Sequence, residues 1–456
     1  NTIFVAERAP DGRRILTEHP TKYVVYWPSE RGKWNSIHGV KLDRFQTNKH
    51  KEFQRELGVI PNAKQHESDI NPIFRCLYDN YRDSPSPDLH VGLFDIEVDF
   101  DPERGFSSPD DAFAPITAIS IWLNWMDRCF TLAIKPKGMS TDAAKTICDS
   151  FPDTMLCNSE KELLDIFLTL IDDCDILSGW NSEGFDVPYI YNRVVQVLGK
   201  SETARMCLWG KYPKKREYES YGRQTITYDL VGRVHLDYLQ LYRKHTYHEM
   251  HSYRLDAIGE YEVGERKTQY EGTLDQLYNN DFKKFIEYNR QDTALLAKLD
   301  KKLKFLDLSN KLAHECTVLL QTTMGAVAVT EQAIINEAHR RGMIVPNRLK
   351  MDDRGDTQAA GAYVAYPKKG IHEWIGSLDI NSLYPSAIRA LNMGPETIVG
   401  QLRQDGTKDF IAAEMAKGKS FASAWEGVFG SLEYTAVMNR DVGREITIDW
   451  EDGHSD

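Results

Sequence analysis

Residues 89–100 (LHVGLFDIEVDF) constrain the fold most, because they read as a strand running into an acidic turn. Strand side chains alternate between faces. Phe94, Ile96 and Val98 therefore share one face, and Asp95 and Glu97 share the other. A solvent-facing edge strand would tolerate two such acids. Here Leu89, Val91 and Leu93 continue the acids' own face, which argues against a solvated surface. Two carboxylates on one covered face repel, and a cation between them removes the conflict. Strand-like and helix-like segments then alternate to about residue 300, the pattern of an α/β domain.

The chain has 456 residues, which sets a prior of about three domains. Its 41% hydrophobic content can supply a sizeable core. No apolar run approaches the roughly 20 residues that a membrane span needs, so no membrane partner is expected. No signal peptide is visible, and the start at Asn1 leads us to expect a short missing N-terminal piece. A net charge of −12 argues against a uniformly basic nucleic-acid coat but leaves room for a basic groove. The seven cysteines form no CxxC pair and are expected to be free thiols in a reducing cytosol.

No repeat or low-complexity tract interrupts the chain. Residues 83–88 (DSPSPD) read as a linker. Strands are expected over 116–122 and 175–179, and helices over 161–170 and 187–198. A long helix is expected from Phe282 to about Leu308, with further helix over 310–340. Residues 346–370 carry Gly and Pro and read as loops and short strands. A strand over 377–380 opens the last segment.

Two more acids stand out. In the run Trp180-Asn181-Ser182-Glu183-Gly184-Phe185-Asp186, a strand ends, a turn follows and a helix starts. Asp186 falls where a helix N-cap is expected, with Pro188 in the first turn. It is either that cap alone or a ligand at a strand-end crevice. Along the long helix, Phe285, Tyr288, Asp292, Leu295 and Leu299 follow a 3-4-3-4 spacing, so Asp292 lies on the apolar seam. A buried carboxylate there needs a metal, a charge partner such as a nearby Arg, or a proton.

Together, the strand pair, the Asn-x3-Phe-Asp turn and the Tyr-x3-Asp helix resemble the three exonuclease motifs of the DEDDy type. The chain thereby resembles the family B DNA polymerases, most of all those of T-even-like phages. Residues 180–193 (WNSEGFDVPYIYNR) look like that group's second exonuclease motif, and residues 236–242 and 252–255 also look like that group. Residues 377–386 (SLDINSLYPS) are similar to the family's first polymerase motif, D-x2-SLYPS. The resemblance covers nearly the whole chain and is weakest over residues 1–85.

The resemblance implies an α/β and α+β multidomain protein. It would have an N-terminal domain (1–88), a ribonuclease-H-like 3′→5′ exonuclease domain (89–305), a return into the N-terminal domain (306–365) and the beginning of a palm (366–456). It implies two divalent cations, Mg²⁺ or Mn²⁺, held by Asp95, Glu97, Asp186 and Asp292. Tyr288 would orient the attacking water. Asn181 and Phe185 would contact the 3′-terminal nucleotides of DNA. Asp379 and the carbonyl of Ile380 would hold the polymerase metals, and Ser382, Leu383 and Tyr384 would meet the incoming nucleotide. A phage-encoded chain would act in the cytoplasm of an infected bacterial host.

The family's K-x3-NS-x-YG and DTDS motifs do not occur in these residues. The chain is therefore expected to be a truncation, an incomplete gene or half of a split polymerase with a second polypeptide. It should shorten primer–template and single-stranded 3′ ends without using dNTPs for synthesis. The competing reading is a catalytically silent half that binds nucleic acid or a partner chain. DNA affinity should fall steeply with salt. Residues 211–216 (KYPKKR), with Gly222 as a turn, match the position of the family's exonuclease hairpin, and a solvated loop is the alternative. His245, His248 and His251 lack the HExxH spacing and read as a polar face. His339, Arg340 and Arg341 before Gly342 read as a helix C-terminus, with a phosphate contact as the alternative.

Overall fold

The computed structural model describes residues 1–220, 223–348, 365–394, 398–402, 407–420 and 434–437. The chain divides into two compact units. One comprises residues 1–23, 46–54 and 70–337, the other residues 24–45, 55–69 and 338–456.

Strands β1 (Thr2–Arg8) and β2 (Arg14–Pro20) make an antiparallel hairpin in the first unit. Arg8 Nε lies 2.6 Å and Arg14 Nη2 3.1 Å from the Asp175 carboxylate, which fastens the hairpin to the main sheet of that unit. Strands β3 (Tyr23–Pro28), β4 (Trp34–Ser36) and β5 (Lys41–Thr47) follow. Helices α1 (His50–Leu57) and α2 (Pro72–Tyr81) lead to the expected linker.

The main sheet collects β6 (Val91–Val98), β7 (Ile116–Leu123), β8 (Arg128–Ile134), β9 (Thr154–Cys157), β10 (Ile176–Ser178) and β13 (Val234–His235). Its order is β13-β10-β6-β7-β8-β9. The pairs β6·β7 and β7·β8 are antiparallel, and the remaining pairs are parallel. Helices α3 (Thr141–Asp149), α4 (Glu160–Leu170) and α5 (Asp186–Val197) alternate with the strands. A hairpin of β11 (Lys214–Ser220) and β12 (Arg223–Asp229) precedes β13, and its turn at Gly222 lies outside the described residues. Helices α6 (Tyr238–His245), α7 (Leu255–Val263), α8 (Leu274–Asn280) and α9 (Phe282–Leu303) complete the layer.

The strand alternation does what the sequence requires. Phe94 and Ile96 pack with Leu163, Phe167, Ile190 and Val194 of α4 and α5. Val91 and Leu93 pack on the other face with Leu295 and Leu299 of α9. Both leucines are fully buried, which stabilises the fold by about 1.5–3 kcal/mol each. Arg193 of α5, itself buried, binds the Glu160 carboxylate at the start of α4 and donates to the Ala112 carbonyl at 2.9 Å. Ser159 caps α4 by accepting from the Glu162 N–H, with Glu160 and Glu162 in the first turn.

The expected helix from Phe282 to about Leu308 is two helices. Lys304 takes a left-handed backbone (φ 56°), which ends α9 at Leu303 and starts α10 (Phe305–Glu315). The helical stretch expected over 310–340 is likewise interrupted, resuming as α11 (Ala326–Arg340). α11 closes at Gly342 with φ 72°, as its basic last turn suggested.

In the second unit, β14 (Met343–Ile344) runs parallel to β4 in a sheet ordered β14-β4-β5-β3. Val24, Tyr26, Leu42 and Ile344 form its small core. Residues 349–364, part of the loop region expected over 346–370, lie outside the described residues. The strand expected over 377–380 is not one: these residues pair with no strand among the described residues, and α12 (Leu383–Ala390) follows. An apolar run becomes a strand only where a neighbour accepts its backbone hydrogen bonds.

Candidate metal centre

Asp95 and Glu97 leave β6 on the same face, opposite Ser120 and Ala118 of β7. α9 crosses that face and brings Asp292 to them. One carboxylate oxygen from each of Asp95, Glu97 and Asp292 lies within 4.8 Å of the others. Glu97 and Asp292 are buried, and Asp95 is partly so. Asn289, one turn before Asp292, donates to Asp95 Oδ2 at 3.0 Å. Ser120 Oγ donates to Asn289 Oδ1 at 2.6 Å, which fixes the amide's orientation.

Asp186 is the first residue of α5 and not its cap; Phe185 holds the cap position without a side-chain bond. The N–H groups of Asp186 itself and of Ile96 lie near the Asp186 carboxylate and oppose the upward pull of burial on its pKa. Asp186 lies outside the group of three, yet its charge is felt by both Asp95 and Glu97.

The electrostatics follow from this crowding. Burial, then the charges of Asp292 and Asp186, pushes the Asp95 carboxyl well above its usual range. Burial and Asp95 do the same to Glu97. Burial raises Asp186 to about 7. Burial also raises Asp292, against the opposing pull of Lys267. Lys267 comes from the loop between α7 and α8 and forms an ion pair with Asp292. Its Nζ also reaches the Tyr288 hydroxyl at 3.3 Å. Burial favours neutral Lys267, but Asp292 and Asp95 outweigh it and raise its pKa. Arg290 does not pair with Asp292; it bonds Thr131 Oγ1 at 3.0 Å and Thr154 Oγ1 at 2.9 Å.

A divalent cation fits this donor set. Asp292 Oδ1 is buried with no hydrogen-bond partner among the described residues, although a carboxylate oxygen there needs one. The available donors are carboxylate oxygens, which hard cations prefer. One lysine does not neutralise the acids gathered here.

The other candidates fall as follows. Tyr288 lies on α9 one turn from Asp292, with its ring edge-on to Tyr270 at 5.2 Å. Asn181 stands exposed in the turn before α5 with φ 61°. Phe185 is half-buried and stacks on Tyr189 at 5.3 Å. Asp379, Ile380, Ser382, Leu383 and Tyr384 belong to the second unit, all of them exposed around the start of α12. His245 and His248 lie against the rings of Phe305 and Tyr261. Sequence reasoning missed Lys267 and Asn289. Asn289 sits inside the motif already singled out, but Lys267 is on a loop with no periodic pattern to mark it.

The geometry thus defines a mixed α/β protein with a buried acidic centre suited to divalent metal. Residues 53–258 match the DNA polymerase family B exonuclease domain, and residues 317–426 match DNA polymerase family B. The chain is 31% identical over 345 residues to the DNA-directed DNA polymerase of Escherichia phage RB69, covering 71% of this chain and 37% of that protein. It is 30% identical over 348 residues to the enzyme of the same name from Enterobacteria phage T4, covering 72% and 38%. The DNA polymerase delta catalytic subunit of Bos taurus is 29% identical over 257 residues, covering 53% and 22%. The chain belongs to the family B DNA polymerases, and it spans little more than a third of the two phage relatives. Among the described residues, no helix is long and apolar enough to cross a membrane.

Proposed function

We propose that this chain is the proofreading part of a family B DNA polymerase, removing nucleotides from a DNA 3′ end as 5′-monophosphates. The observation that carries the reading is the convergence of Asp95, Glu97 and Asp292 within 4.8 Å, with a buried oxygen of Asp292 left unpartnered. Asp95, Glu97, Asp186 and Asp292 would hold two Mg²⁺ or Mn²⁺ ions. Such a pair, when bound, activates water and steadies the attacking and leaving oxygens.

The chain's own groups do the rest. Tyr288, held beside Lys267, would orient the attacking water through its hydroxyl. Lys267 keeps a positive charge at Asp292 and limits repulsion before metal arrives. Asn181 and Phe185 would receive the terminal nucleotides, Phe185 by stacking. The central sheet with helices on both faces is in keeping with a ribonuclease-H-like module over 89–305, followed by a return segment and a palm from about residue 366. In that palm, Asp379 with the Ile380 carbonyl would hold metal, and Ser382, Leu383 and Tyr384 would meet a nucleotide. We expect no synthesis from these residues, because the family's K-x3-NS-x-YG and DTDS motifs do not occur among them.

The test uses a primer–template with a mismatched 3′ terminus, Mg²⁺ and dNTPs, beside an EDTA control. Shortening without extension is the expected result. Asp95→Ala should abolish shortening and leave the far-ultraviolet circular dichroism unchanged. Undiminished Mg²⁺-dependent cleavage by that variant would sink the assignment, and DNA binding without any cleavage would make the chain a silent binding half.

A further inference from the structure

Asp237 precedes α6 and is buried, at 4% exposure. Its Oδ1 accepts the N–H groups of Leu239 at 2.9 Å and Gln240 at 3.3 Å, which caps the helix. The same oxygen accepts the Asn181 N–H at 3.2 Å. Its Oδ2 accepts the Glu183 N–H at 3.0 Å. Asn181 and Glu183 belong to the turn between β10 and α5, more than fifty residues away in sequence. Among the described residues no cation pairs with this carboxylate; its partners are backbone N–H groups, and burial outweighs them and raises its pKa to about 6.

A helix cap alone does not require an aspartate, because Asn and Ser cap as well. Oδ1 does the capping, whereas Oδ2 serves only the turn. That turn also carries the left-handed Asn181, and Ser182 Oγ lies 2.8 Å from His235 Nε2 on β13. The turn springs from the end of β10, where Ser178 pairs with Leu93 of the strand that carries Asp95. A Cβ on Gly179 would lie 2.8 Å from the Phe94 carbonyl, so the backbone at the root of the turn runs close to that strand. We propose that Asp237 is a positioning residue of the exonuclease site: its second carboxylate oxygen holds the 180–185 turn, and so sets where Asn181 and Phe185 present the DNA 3′ end. This rests on the exonuclease reading above.

The test is Asp237→Asn in the full chain, with Asp237→Ser as a second variant. The Asn carbonyl can keep the three bonds of Oδ1, while its amide sets a donor against the Glu183 N–H. KM for an oligothymidylate should rise roughly tenfold, the order expected from losing one hydrogen bond to a charged group. The kcat and the Mg²⁺ affinity should change less than KM and should not fall, since Asp237 holds no metal and losing its charge only eases ionisation of Asp186. Hydrogen exchange at the Glu183 amide should quicken in both variants, while the Leu239 and Gln240 amides stay protected. Unchanged KM and unchanged Glu183 exchange would overturn the proposal. So would a joint fall in kcat and Mg²⁺ affinity, or the failure of both variants to fold. A wild-type chain without Mg²⁺-dependent cleavage would instead refute the exonuclease reading, and the exchange measurement would still decide the role of Asp237 in holding the turn.

Discussion

Replacing Asp186 by Asn should stabilise the metal-free protein while removing cleavage. The carboxyl is 7% exposed, and its pKa is raised from 3.8 to about 7, first by burial. A raised carboxylate pKa reverses the usual sign. The folded state then prefers the protonated form, so the cost of ionisation is absent below the unfolded value and grows as pH rises to the folded value. Three pKa units correspond to about 4 kcal/mol at pH 8, and the cost is about 2 kcal/mol at pH 5.5. Asn carries no charge and escapes the cost. In EDTA at pH 8 the variant should melt above wild type by roughly 6 °C, with about half that margin at pH 5.5. Saturating Mg²⁺ should narrow or invert the difference, because wild type gains a ligand that Asn supplies poorly. Paired melts at the two pH values, with and without Mg²⁺, measure this directly. A variant that melts below wild type in EDTA at pH 8, or a margin that does not change with pH, would refute the reasoning.

Lys267→Met should lower metal-free stability by about 2–4 kcal/mol, because it leaves buried Asp292 without its cation. Mg²⁺ should restore most of that loss, so equal destabilisation with and without Mg²⁺ would argue against a shared charge role. Arg193→Met should cost about 1.5–3 kcal/mol in urea unfolding, since half-buried Glu160 would lose its cation and keep only the Ile116 N–H. Cleavage by that variant should persist below its melting transition, because Arg193 contacts none of the acids of the metal centre.

The legible part of the site was local. The face shared by Asp95 and Glu97 follows from strand alternation over five residues, and the seam position of Asp292 follows from helical spacing. Both are one-dimensional properties, and the structure reproduces them: Phe94 and Ile96 face α4 and α5, while the acids face α9. The strands over 116–122 and 175–179 and the helices over 161–170 and 187–198 were legible for the same reason. Boundaries were less so, because the break at Lys304 depends on one left-handed residue that carries no Gly signature.

Which charges meet was decided by tertiary structure alone. The sequence by itself determined that an acidic pair would lie on a covered strand, and therefore that something positive had to come to it. It could not say that Lys267 would be the cation, that Asn289 would brace Asp95, or that Asp237 would gather two amides of a distant turn. It also could not say that Asp186 would stand just outside the tight group of three. Those partners lie tens to hundreds of residues apart. Their encounter is set by how α9 and the loop between α7 and α8 pack across the sheet, because side-chain periodicity reports only which way a residue faces and packing decides what it finds there.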